Sequence, residues 1–223
     1  MQGAAMDVAI PTRKVRHLVP MGLFLTLTAC SPYADAERDV AAGGRGLAKL
    51  NPSPQQGYEL VLTLKDAPGP FAVVEGVAQY DARNYAACGQ IVPATGTAGR
   101  ITSQEPVVLR HVGENEYRGT FYLDRMQDED YYGRGVCHWT LTGVGAMLRA
   151  TGGEADTRFL TFIDKERMDA GSPLTRYYPR ADYPRIEEIT GYGASGEEDP
   201  SSYRADLRNA LFSTTTTVQK LAP

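Results

Sequence analysis

The chain has 223 residues, 42% of them apolar, with 23 lysines and arginines against 27 aspartates and glutamates, a net charge of −4. That balance supplies no basic face for nucleic acid, and the apolar fraction suits an ordinary packed domain. Only three histidines, His17, His111 and His138, are present, which leaves little material for zinc or acid-base chemistry.

Arg13, Lys14 and Arg16 precede an apolar run over residues 18–29. The run is too short for a membrane span, which takes about 20 apolar residues as a helix, and it has the charge order of an export signal. It closes on Leu27-Thr28-Ala29-Cys30, which resembles the lipobox of a bacterial lipoprotein precursor. That resemblance implies cleavage before Cys30 and acylation of the Cys30 thiol and its new amine, so that residues 1–29 are a signal peptide and the membrane is contacted through lipid at Cys30. Ser31 follows the cysteine where an aspartate would imply retention in the inner membrane; by resemblance to that sorting pattern the expected location is the periplasmic side of the outer membrane. A cleaved secretory signal with an incidental cysteine is the alternative.

Loss of residues 1–29 removes Arg13, Lys14 and Arg16 against Asp7 and leaves 194 residues with 20 basic and 26 acidic side chains, net −6. Two cysteines remain, Cys88 and Cys137, in a compartment that permits disulfides. They are expected to pair, closing a loop of about 50 residues that contributes roughly 4 kcal/mol on the chain-entropy model. A catalytic thiol is the alternative, but Cys88 has no neighbouring base in the sequence.

Residues 30–56 are rich in Ala, Gly, Pro and charge without an apolar period, which reads as a lipid-anchored flexible tether spanning about 25–30 Å. Residues 57–164 read as a β domain. Tyr58, Leu60, Leu62 and Leu64 alternate with polar or smaller residues, and residues 71–80 resume after the Pro-Gly stop at 68–70. Residues 107–112 lead through Gly113-Glu114-Asn115 into residues 116–123, a hairpin signal. Residues 136–148 put Cys137, Trp139 and Leu141 on one face, with Gly143 and Gly145 marking a bulge or the close approach of another backbone. Residues 158–163 are the last apolar run. Residues 165–223 read as an irregular extension, with one short helix over 202–212 and a frayed tail at Thr214–Thr217.

Short strands separated by turns predict a mainly β fold, an antiparallel β-sandwich with an irregular C-terminal extension and one short helix. It is not an immunoglobulin domain, because Trp139 lies two residues from Cys137 on the same predicted strand.

Three groups are candidates for chemistry. Residues 124–130 hold four carboxylates that are able to ligate calcium through oxygen, but they lack EF-hand spacing and a solvated acidic loop explains them as well. Residues 130–139 carry Gly133 and Gly135 for tight turning, together with Tyr131, Tyr132 and Arg134, the residue types that most often anchor protein interfaces; the alternative is that the tyrosines pack on the sandwich edge. His111 and His138 sit on separate predicted strands without a local carboxylate. No nucleophile elbow or phosphate-binding glycine loop is present, and no cofactor or metal is expected. A carboxylate-dependent hydrolase stays open as a minor alternative, since its two acids need no local spacing.

Taken with the lipobox at residues 27–30, the segment 130–139 and the cysteines Cys88 and Cys137, the chain resembles immunity lipoproteins associated with contact-dependent toxin secretion. The resemblance implies a non-enzymatic protein that blocks a secreted toxin by binding it, with Tyr131, Tyr132 and Arg134 as first anchors. A structural role in the envelope or in a secretion machine, with an envelope component as partner, is the competing expectation.

Overall fold

The structure, a computed structural model, describes residues 45–222. Cys30, the signal segment 1–29 and the expected tether up to residue 44 lie outside the described residues. Among the described residues the chain runs β1 (Gly57–Lys65), β2 (Val73–Ala82), α1 (Tyr85–Cys88), β3 (Ile91–Val92), β4 (Thr97–Ala98), β5 (Thr102–Val107), β6 (Arg110–Gly113), β7 (Glu116–Tyr122), β8 (Trp139–Arg149), β9 (Arg158–Asp164), α2 (Lys165–Asp169), β10 (Leu174–Pro179), β11 (Gly193–Ala194) and β12 (Leu211–Lys220). One five-stranded sheet has the order β10-β12-β1-β7-β6 and the other β11-β9-β8-β2-β5, with β3 and β4 as a separate small ribbon. All pairings are antiparallel except the two-residue contact of β11 with β9. This is the mainly β, antiparallel sandwich that the strand pattern predicts.

The alternation read in β1 sends Leu60, Leu62 and Leu64 into the core, where they meet Leu141, Val144, Ala146 and Leu148 of β8 from the opposite sheet. Gly143 and Gly145 do both things expected of them. The β2–β8 register shifts at Gln79/Tyr80, so Tyr80 pairs with Leu141 while Gln79 pairs with Gly143. An added Cβ would stand 2.6 Å from the Ile163 carbonyl at Gly143 and 2.7 Å from Phe162 Cα at Gly145, so β9 lies where a side chain would be.

Several expectations are corrected. The segment 45–56 is not tether. Ala48 is in the core, Leu50 bridges Met126, Asn51 N donates to Arg125 O at 2.8 Å and Leu123 N to Gln56 O at 2.9 Å. Its polar composition hid this because the segment is held by hydrogen bonds rather than by an apolar stripe. The run 107–112 is broken at an edge: Val107 ends β5 in one sheet and Arg110 starts β6 in the other. Strand β5 escaped notice because its inward residues include Ser103 and Glu105. Both are satisfied, Ser103 Oγ donating to Glu105 and Arg45 reaching Glu105 at 2.6 Å, so burying them is tolerable.

The extension 165–223 contributes β10, β11 and β12, and the two regions form one sandwich. The helix expected over 202–212 is replaced by 3-10 turns at Pro200–Ser202 and Arg208–Ala210 and by the start of β12. Thr214–Thr217 is no tail, since it lies inside β12, hydrogen-bonded between β1 and β10. Threonine is polar in composition but β-branched, and it fits a pleated, half-buried surface. Thr214 and Thr216 are fully buried, and Thr216 shares a 2.8 Å hydrogen bond with Thr161 of β9 across the two sheets.

Candidate functional site

Strand β8 starts where a minor buried cluster adjoins the main core, with Trp139 against both. Ala82, Cys88 and Cys137 form the minor cluster, with Tyr85, Ile101, Tyr131, Tyr132 and Trp139 against it. Cys88, at the end of α1, is disulfide-bonded to Cys137 with the Cα atoms 5.3 Å apart. The expected pairing forms, and a free catalytic thiol at either position is ruled out with it. Asn84 clamps the same segment, its side-chain amide donating to Val136 O at 2.7 Å and its oxygen accepting from His138 N at 2.8 Å.

The loop 130–136 is shaped from within. Gly133 and Gly135 adopt φ of +67° and +109°, a region costly for residues with a Cβ. Asp130 accepts from Arg134 N at 3.0 Å. Burial opposes the charge of Asp130, but hydrogen bonds from the amides of Gly135, Arg134, Tyr132 and Gly133 outweigh it and hold its carboxyl below the usual range. The Arg134 guanidinium reaches back to the carbonyl of Gly89 beside the disulfide.

Of the three residues predicted as anchors, Tyr131 has a structural task. Its ring is half-buried against two clusters, its hydroxyl donates to Gln127 O, and it receives Lys49 N at 3.3 Å. Tyr132 is half-buried, edge-on to Tyr131 at 6.5 Å, and Arg134 is exposed. The packing alternative therefore accounts for Tyr131 and for the side of Tyr132 that lies on the Cys88–Cys137 cluster, while the rest of Tyr132 and Arg134 remain part of the surface.

The acidic run is tied to its neighbours throughout. Asp124 accepts from Gln55 N and Gln56 N, each at 2.9 Å. Glu129 pairs with Lys49 at 2.7 Å, and Lys49 is held above its ordinary value by that contact. Asp128 accepts from Trp139 N at 2.9 Å and from His138 Nδ1 at 2.8 Å. These contacts explain the run without an ion, and among the described residues no three His, Cys, Asp or Glu converge as metal ligands.

The Asp128–His138 pair corrects the reading of His138 as lacking a carboxylate. An ionised carboxylate only accepts, so Nδ1 is the donor in this contact. The pair is ten residues apart in sequence and meets because the antiparallel bridge of Glu129 with Cys137 sets Asp128 opposite His138. Reading the segment before Cys137 as one arm of a hairpin would have found it. His111 is elsewhere, on edge strand β6, with its ring 4.8 Å from Tyr117.

Beside this pair lies a cavity of about 340 Å³. Trp139, Met126 and Leu123 give its apolar walls, and Asp124, Asp128 and Lys165 its charged ones. The indole N–H of Trp139 is buried without a hydrogen-bond partner, a state that costs roughly 1–3 kcal/mol. No protein-family model, curated protein or solved structure matches this chain.

Proposed function

We propose that the chain is a periplasm-facing outer-membrane lipoprotein, anchored by lipid at Cys30, that acts by binding a protein partner as an immunity or inhibitor protein against a secreted toxin. The observation that carries the reading is the loop 130–136. It is held by the disulfide, by the amides gathered on Asp130 and by the Arg134–Gly89 contact, and it keeps Tyr132 and Arg134 at the surface. A rigid loop loses little conformational freedom on binding, and tyrosine and arginine are the side chains that most often dominate interface energetics. The net charge of the processed chain, −6, favours a basic partner and fast association at low salt.

Capture from detergent-solubilised envelope tests this directly. The wild-type chain is expected to retain one stoichiometric partner, and Arg134→Ala with Tyr132→Ala to lose at least tenfold of it, about 1.4 kcal/mol. Deletion is expected to sensitise cells to a sister cell's toxin. Full resistance of the deletion strain, with capture unaffected by the double variant, defeats the immunity reading. Mass analysis of Cys30 tests the anchor separately, with two or three acyl chains expected there.

A further inference from the structure

The cavity beside Trp139 is distinct from the loop just discussed, since neither Tyr132 nor Arg134 lines it. We propose that it binds one pyranose ring of a glycan. Its volume, about 340 Å³, falls at the lower end of small-molecule sites, roughly 300–1,000 Å³, the scale of a compact polar ligand and not of a peptide segment.

A pyranose presents a face of C–H groups and a rim of hydroxyls that both donate and accept. The cavity answers both. Trp139 supplies an aromatic surface whose negative π face attracts polarised C–H groups. Asp124 and Asp128 supply acceptors, Gln56 supplies donors, and Lys165 keeps one ammonium proton beyond the two held by Asp169, while the Thr140 hydroxyl, which donates to Leu141 O at 3.4 Å, is left to accept. Each carboxylate has about four acceptor sites. Asp124 uses two of them, for the Gln55 and Gln56 amides, and Asp128 two, for His138 and Trp139, so both retain capacity for hydroxyls.

Those internal bonds also orient the carboxylates before a ligand arrives, which removes an ordering cost from binding. A simple cation fits less well. It would meet Lys165 in the same wall and leave the donors of Gln56 unanswered.

Trp139 is the only tryptophan in the sequence, so its fluorescence reports the cavity and the buried clusters behind it. The full chain in detergent micelles is titrated with the disaccharide of N-acetylglucosamine and N-acetylmuramic acid, and in parallel with maltose. A saturable change in intensity or peak wavelength is expected with at least one sugar, weakened about tenfold by Thr140→Val or Gln56→Ala, each removing one hydrogen bond to a hydroxyl. Saturation by the amino sugar alone assigns the site to cell-wall glycan, and saturation by maltose alone assigns it to neutral glucan.

Asp128→Asn is expected to weaken binding further. Should that variant disturb the loop, Thr140→Val and Gln56→Ala carry the test, because neither side chain is among the Asp128 contacts. Two results overturn the proposal: no saturable change with either sugar while circular dichroism and the disulfide are native, or a change that Thr140→Val and Gln56→Ala both leave intact. Arg134→Ala is expected to leave the sugar titration unchanged, so failure of partner capture and failure of glycan binding are read separately.

Discussion

Strand β8 is held at its two ends by different means. Near Leu148 the sandwich closes on a cluster of rings, with Phe159 5.1 Å from Phe212 and 5.5 Å from Tyr178, and with Phe71 5.5 Å from Tyr183. Near Trp139 the core at Met126 and Leu141 gives way to the small Ala82, Cys88 and Cys137, and the segment beyond them is ordered by the disulfide, the Asn84 clamp and the carboxylates of the 124–130 run. An end that packs on large rings is stable through buried area, and its residues are committed to the core. An end stapled covalently needs little apolar volume, so its side chains are available for the surface, and the candidate loop and cavity are both found there.

The largest effect is expected at the aromatic end. Phe159→Ala removes a fully buried ring that touches Phe71, Tyr178 and Phe212, and should destabilise the domain by about 3–5 kcal/mol, lowering Tm on the order of 10 °C. A loss under about 1 kcal/mol in a denaturant melt would mean that the rings are not what holds this end.

Next comes the staple. Cys88→Ala with Cys137→Ala opens a bond spanning a sequence separation of 49, worth about 4 kcal/mol at most in chain entropy. The consequence that separates the ends is local. Amide exchange is expected to rise in residues 83–92 and 124–139 while Phe159 and its neighbours in β9 keep their protection. Equal loss of protection at both ends would show that they act as one cooperative unit and erase the contrast.

The same contrast governs what could be read from the sequence. Strands β1, β2, β7, β8 and β9 were legible because their apolar residues recur with period two or run continuously, and the pairing of Cys88 with Cys137 followed from the expected compartment and the cysteine count. Strand β12 was not, because Thr214 and Thr216 bury hydroxyls whose partners, Tyr178 and Thr161, are far away in the chain. The segment 45–56 and the Asp128–His138 pair were hidden for a related reason. Their contacts are mostly polar, long in sequence for the segment and ten residues apart across an unread hairpin for the pair, and hydrogen-bonded fit leaves no periodic trace.

Between the two ends, the hydroxyls of Thr161 and Thr216 join the sheets. Thr216→Val alone leaves the Thr161 hydroxyl buried and unpaired, an expected loss of about 1–3 kcal/mol. Adding Thr161→Val should restore most of it, since removing both partners is close to neutral. If the two losses simply add in a double-mutant cycle, the hydroxyls are not coupled and the threonines of β12 serve only as strand formers.

The smallest effect separates the ends by pH. Each end has an aspartate gathering backbone amides: Asp130 in the stapled loop, and Asp156 near Tyr183, which accepts from Thr151 N at 2.7 Å and Gly152 N at 2.8 Å. Burial opposes the charge of Asp156, but the Thr151, Gly152 and Gly153 hydrogen bonds outweigh it and hold its carboxyl below the ordinary range, as at Asp130. A carboxyl lowered by folding binds fewer protons folded than unfolded. Its contribution is therefore complete above the unfolded value of about 3.9 and is lost as pH falls through the lower folded value. At the Asp156 turn nothing covalent replaces that contribution, whereas the loop at Asp130 stays joined to Cys88 through Cys137. Asp156→Asn should thus lower stability at neutral pH and flatten the acid limb of a pH–stability curve, and Asp130→Asn should do so visibly only after the disulfide is removed. An acid limb that responds equally to both substitutions with the disulfide intact would mean that the covalent bond does not shield its end.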